Sequence, residues 1–153
     1  DIMGFAQYCA YDRIANHRLL GDSWLPRSIA GMFIRLTEKI RGMAMDGLSM
    51  MDPGKETHHS IHRLAELAAP LISTGNQCGE GWYLTAEMAA MLEEGIRRII
   101  CVQPFGCLAN HISGRGMIKK LRQMYPGADI LPLDFDPGSS AVNQYNRLKL
   151  FLG

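Results

Sequence analysis

The sequence lacks most of the features that announce a function directly. No apolar run approaches the ~20 residues needed to cross a bilayer, so no spanning helix and no membrane partner are expected. Charge of one sign is not in excess either. Sixteen Lys and Arg stand against fifteen Asp and Glu, a formal net charge of +1. That balance argues against a basic nucleic-acid stripe and against an acidic tail, so no nucleic-acid partner is expected. The opening Asp1-Ile2-Met3-Gly4 has neither a basic n-region nor a signal-peptide core. It also has no Met at position 1, which suits an excised piece of a longer protein at least as well as a complete one. Cysteine is scarce, confined to Cys9, Cys78, Cys101 and Cys107. Their spacing favours no disulfide pairing, and without a secretory cue they read as reduced thiols of a cytoplasmic protein. Internal repeats and low-complexity segments are absent.

What is present suits a globular chain. Its 153 residues, 47% apolar and 20% charged, fit one compact domain with a helical appendage. The ten Met residues sit mostly among other apolar residues and read as flexible core filler. Residues 1–70 are expected to be a mainly helical extension. Between Ser28 and Ala44, Ile29, Met32, Phe33, Leu36, Ile40 and Met43 recur at the spacing of one helix face, with Pro26 and Ser28 as start signals. The stretch Asp46 to His59, holding Gly47, Pro53 and Gly54, reads as a loop. A second helix through Ile61, Leu64 and Leu67 should stop near Pro70.

Residues 71–153 read as an α/β unit. Leu71 to Thr74 is a candidate short strand leading into a glycine-rich loop at Gly75, Gly79 and Gly81. Thr85 is a candidate cap for a helix carrying Met88, Met91 and Leu92 and ending at Gly95. The run Ile99-Ile100-Cys101-Val102 is apolar on successive residues, the pattern of a strand covered on both faces. A turn from Gln103 to Gly114 follows, with Ser113 starting a helix through Met117, Ile118, Leu121, Met124 and Tyr125. Pro126-Gly127 ends that helix. Ile130 to Leu133 is another strand, with Pro132 marking an edge position or a strand end. After a turn from Asp134 to Ser139, Ser139 or Ser140 caps a last helix through Val142, Tyr145, Leu148 and Leu152. This alternation predicts a three-layer parallel sheet, Rossmann-like or flavodoxin-like, with right-handed crossovers.

Three motifs say more than the pattern does. They are Gly79-Glu80-Gly81-Trp82, the string from Cys101 through Gln103-Pro104-Phe105-Gly106-Cys107 to His111, and Asp134-Phe135-Asp136-Pro137-Gly138 followed by Asn146-Arg147-Leu148. In this order and spacing they resemble the C-terminal region of large CoA-substrate-specific enzyme activases, which follows ATPase domains of the acetate kinase and actin type. The resemblance covers the latter half well and the N-terminal helices loosely. More distantly, Phe105-Gly106-Cys107 and Arg147-Leu148 are similar to the aromatic-Gly-Cys turn and closing helix of 2-hydroxyacyl-CoA dehydratase subunits. In that family the turn cysteine ligates an iron–sulfur cluster completed by cysteines of another domain. The resemblance therefore implies a domain of an ATP-dependent activator of the (R)-2-hydroxyacyl-CoA dehydratase type, part of an iron–sulfur electron-transfer protein. Its partners would be the other domains of the parent chain and a CoA-ester dehydratase or reductase. It marks Cys107 as a metal ligand to a shared 4Fe–4S cluster. No cluster is expected in this piece alone, and no catalysis by it alone.

Read from the residues themselves, Cys107 lies on a loop after a parallel strand, where open α/β folds place ligands. A thiolate there is a soft ligand for iron, and Phe105 is placed to exclude water. A plain buried cysteine in a turn is the competing reading. Cys78, in the glycine-rich loop, is the second candidate for cofactor binding, if the two loops meet. Cys101 reads as an inert core residue. The glycine loop either holds a phosphate or CoA group or is a tight turn requiring positive φ. It lacks the Lys-Ser/Thr of a P-loop. Glu80 and Trp82 are candidate contacts to a neighbouring domain. His111 stands four residues after Cys107, allowing a thiol enzyme with a Cys-His pair or an anchoring histidine. His58, His59 and His62 read as exposed, and Asp134 and Asp136 as turn and capping residues. A docking domain of a larger protein, without a cluster of its own, is the remaining alternative.

Overall fold

The computed structural model describes residues 2–51, 58–136, 138 and 140–153. Helices dominate. In chain order they are α1 (Ile2–Leu20), α2 (Trp24–Met51), α3 (Ile61–Ala68) and α4 (Gly81–Glu93), then strand β1 (Arg98–Pro104) and α5 (Leu108–Ser113). A 3-10 turn at Arg115–Met117 runs into α6 (Ile118–Met124), followed by strand β2 (Asp129–Phe135) and α7 (Ala141–Leu152). The two strands pair in parallel, from Arg98 opposite Asp129 to Pro104 opposite Phe135. Among the described residues they are the whole sheet. The expected three-layer Rossmann-like or flavodoxin-like sheet is therefore not formed. Leu71 to Thr74, needed as a further strand, is a turn in which Ile72 N donates to Ala68 O at 2.8 Å. Four residues ending in Ser73-Thr74, just before Gly75, are too few to hold an extended backbone once the preceding helix has curled it.

The core centres on α4. Nine of its residues are buried, on all sides of the helix, as expected of a helix enclosed by neighbours rather than lying on a surface. Trp82, at 0% exposure, is held between Tyr8 and Tyr11 of α1, each 5.3 Å away in edge-on geometry. Trp82 is thus a core residue and not a contact to a neighbouring domain. Its indole N–H donates to Asp12 at 3.1 Å. Burial pushes the Asp12 carboxyl up to about 6, with the Trp82 hydrogen bond pulling the other way. Thr85 does not cap α4; it lies buried within it and donates to the carbonyl of Ser113. One cluster joins Tyr8, Ile34 and Ile61 to Trp82, Ile99, Leu121 and Ile130, residues from both sides of position 70.

Two expectations about faces are corrected. The segment expected to be a loop from Asp46 is helical as far as Met51, so α2 is longer than predicted; Pro53 and Gly54 lie outside the described residues. The regular stripe of Ile29, Met32, Phe33, Leu36, Ile40 and Met43 faces outward, and α2 packs instead through Ala30, Ile34 and Thr37. There Thr37 accepts a 2.8 Å hydrogen bond from buried Gln7. Strand β1 is likewise not covered on both faces. Ile99, Cys101 and Gln103 are buried while Arg98, Ile100, Val102 and Pro104 are exposed.

The remaining elements follow their start and stop signals. Gly95 and Gly127, at φ of +87° and +85°, follow α4 and α6. Ser140 precedes α7 in extended conformation, although its side chain makes no capping bond. Helix α3 is capped by Ser60, whose side chain accepts from Arg63 N at 3.2 Å.

Candidate functional site at the carboxyl end of the strand pair

Strand β1 ends in a tight turn. Phe105 N reaches Phe135 O at 2.9 Å, Gly106 takes φ of +72°, and Cys107 N donates to Pro104 O at 3.2 Å. Only a residue without a Cβ enters that left-handed region without penalty. Cys107 then stands immediately before α5, in extended conformation, as the residue capping its start. The helix thus begins at Leu108, not at Ser113, which is instead its last residue. Cys107 is half-buried, and Phe105, placed by the sequence reading to exclude water, is itself exposed.

His111 lies one turn further along α5. Its backbone N donates to Cys107 O at 3.0 Å, and its ring Nδ1 lies 2.8 Å from the same oxygen. A carbonyl only accepts, so Nδ1 carries the proton. The ring is anchored to the backbone of the cysteine, which leaves Nε2 as its free acceptor. This is the anchoring role rather than a demonstrated thiol–imidazole pair.

The glycine-rich loop comes to the same end. A Cβ on Gly79 would sit 3.1 Å from that of Ala109, so the residue following Cys78 abuts α5 two positions beyond Cys107. The loops bearing Cys78 and Cys107 are neighbours, with the Cys78 side chain exposed. The loop's glycines serve packing: Gly81, at φ of +45°, leaves no room for a Cβ between Asn76 O and the Tyr8 hydroxyl. That hydroxyl donates to Gly79 O at 3.1 Å. Cys101 faces inward, and burial, with the Asp134 charge adding to it, pushes its thiol up. It is the core residue expected. Cys9 is exposed on α1.

A polar cluster that sequence reasoning missed underlies this end. Gln103, 1% exposed, donates through Nε2 to Asp134 Oδ1, and Asp134 Oδ2 receives Arg115 at 3.2 Å. Asp134 is therefore the last inward-reaching link of β2 rather than a turn residue. Asp136 does shape the turn, accepting from Gly138 N at 3.2 Å. Gln103 Oε1 and Asn110 Oδ1 are buried acceptors with no partner among the described residues. Buried polar atoms are rarely left so. The signal available was parity: Gln103 shares the inward register of Ile99 and Cys101.

The histidine trio does not converge. His58 lies 3.3 Å from Glu38 and 3.0 Å from Arg41, and His59 lies 3.0 Å from Glu94, both half-buried rather than exposed as predicted. Burial, then the Arg41 charge, pushes His58 down. His62 is exposed and stacks edge-on with Tyr11. Among the described residues no group of three or more His, Cys, Asp or Glu is placed to hold a metal ion. Nor is any helix among them long and apolar enough to cross a membrane. No protein-family model matches the chain, and comparison with curated proteins and with solved structures finds no significant match.

Proposed function

We propose that this chain is the C-terminal domain of an ATP-dependent activator of the (R)-2-hydroxyacyl-CoA dehydratase type, part of an iron–sulfur electron-transfer protein. The observation that carries the reading is the position of Cys107. Its half-buried thiol stands on the first residue after the β1 turn, at the carboxyl end of a parallel strand pair, beside the loop that carries Cys78. That is where open α/β arrangements place ligands. The residues of this chain do not by themselves fit a 4Fe–4S cluster, which needs several thiolates. Cys107 is proposed as one ligand, Cys78 as a second candidate, and the rest as belonging to other domains of a parent protein. The cluster would supply low-potential redox chemistry. The work of this chain is to fix the Cys107 backbone through His111 and the β1–β2 turn. The domain is not catalytic alone, and a CoA-ester dehydratase or reductase is the proposed recipient.

The test is Cys107→Ser in the parent protein, reconstituted anaerobically. Iron content and reductive activity should fall sharply while the fold persists, because the side chain makes no capping bond. Wild-type iron content and activity in that variant would remove Cys107 from the ligand set. A second reading, a docking domain without its own cluster, is favoured by the apolar stripe that α2 leaves in solvent. In that case Cys107→Ser and Cys78→Ser would both leave iron unchanged while truncation of α2 disrupts assembly.

A further inference from the structure

The two edges of the strand pair are built differently. Asp129 N donates to Arg97 O at 2.7 Å and Phe105 N to Phe135 O at 2.9 Å. Backbone groups alternate sides along a strand, so Asp129, Leu131, Leu133 and Phe135 face β1. Ile130, Pro132 and Asp134 face the other way. All three outward carbonyls of β2 are taken by side-chain donors: Ile130 O by Arg122 at 3.0 Å, Pro132 O by Arg147 at 2.6 Å and Asp134 O by Gln144 at 3.2 Å. Pro132 has no N–H to offer. Such an edge is closed to a further strand.

On β1 the same parity turns Arg98, Ile100 and Val102 outward. No hydrogen bond to their backbone groups comes from outside the pair among the described residues. Among the described residues this edge carries no charge beyond Arg98 at its start, no proline before Pro104 and no side chain bonded to its backbone as Arg147 is to that of β2. The neighbouring face is apolar, with Val102 55% exposed and Ile100 39%. The edge starts at two exposed cations, Arg97 and Arg98, the second of which also donates to Leu152 O at 3.2 Å, and β1 itself contains no acidic residue.

We infer that the outer edge of β1 is a docking edge for an extended segment of a partner polypeptide. That segment is apolar at alternate positions and acidic at the end lying beside Arg97 and Arg98. Main-chain hydrogen bonds to Ile100 and Val102 would hold it, and alternate side chains would select it. Charge decides between occupants. A second copy pairing β1 with β1 brings another Arg97-Arg98 and no acid, whereas an acidic segment pairs with what is there.

The test is amide hydrogen exchange on the 153-residue chain, with the peptide Ac-Asp-Val-Thr-Val-Thr-Val-Asp-NH2 as probe. Ile100 and Val102 amides should exchange rapidly in the free chain and slow by about tenfold or more at saturating peptide, as for other strand-addition sites. Replacing both Asp by Lys should weaken binding by roughly fivefold. Val102→Pro removes an outward N–H and should abolish the peptide effect; protection at Ile99 and Cys101 reports that the pair remains folded. Unchanged exchange at millimolar peptide overturns the inference. Slow exchange that depends on protein concentration alone also overturns it, assigning the edge to a second copy.

Discussion

At Gly81 the φ of +45° and two oxygens crowding the missing Cβ act together. A left-handed non-Gly residue and an overpacked contact each cost a kcal/mol or more, so Gly81→Ala should lose about 3 kcal/mol. Urea denaturation measures this directly, and a loss under ~1 kcal/mol would mean that the loop relaxes freely. Asp12 offers a different residue-scale test. Its folded-state pKa, about 6, lies above the ordinary carboxylate value of 3.8. A raised value means that the folded state holds the proton more tightly than the unfolded state. The contribution of Asp12 is thus fully present below about pH 3.8 and is lost as pH rises through about 6. Asp12→Asn keeps an acceptor for Trp82 and removes that dependence. The stability difference between wild type and Asp12→Asn should therefore shift against the wild type between pH 4 and pH 7, and a flat difference contradicts the assignment. Neither site could be read from sequence. Residue types alone offer a glycine loop and an unremarkable Asp; only the packing of α1 on α4 makes them special.

At the scale of elements, α2 shows how a correct period coexists with a wrong face. The stripe from Ile29 to Met43 is helical in spacing, and the segment is a helix, yet the buried contacts come from Ala30, Ile34 and Thr37. Small residues and a Gln7–Thr37 hydrogen bond bring α1 and α2 close, while the larger side chains remain outside. Two substitutions separate the faces. Leu36→Glu should change stability by no more than about 0.5 kcal/mol, whereas Ile34→Ala should cost about 2–4 kcal/mol. A large loss for Leu36→Glu would place the stripe in the core after all. Strand β1 repeats the lesson at period two. Successive apolar residues predict burial on both faces, but Ile100 and Val102 are exposed because no helix of the described residues covers them.

For the whole molecule, Trp82 is the natural reporter, since the core around it takes side chains from α1 and α3 as well as from β1, α6 and β2. Shared burial of this kind couples the elements into one transition. Trp24 is exposed and Trp82 fully buried, so a Trp24→Phe chain reports Trp82 alone. Its fluorescence and far-ultraviolet circular dichroism should lose their native values at the same urea midpoint. Separated midpoints would reveal independent N-terminal and C-terminal units.

The sequence by itself determined the local structure: α3 ending before Pro70, α4 before Gly95, α6 before Gly127, the two strands around Ile99 to Val102 and Ile130 to Leu133, and α7 after Ser140. These depend on nearest neighbours, through φ preferences, missing N–H groups and capping, which a linear reading contains. Cys101 as an inward core residue was legible for the same reason. Which face each element buries, whether Leu71 to Thr74 extends into a strand, and the Gln103–Asp134–Arg115 cluster were decided only by the tertiary structure. Each of those depends on what lies opposite in space, and hydrophobic spacing gives a periodicity without naming the neighbour that covers it.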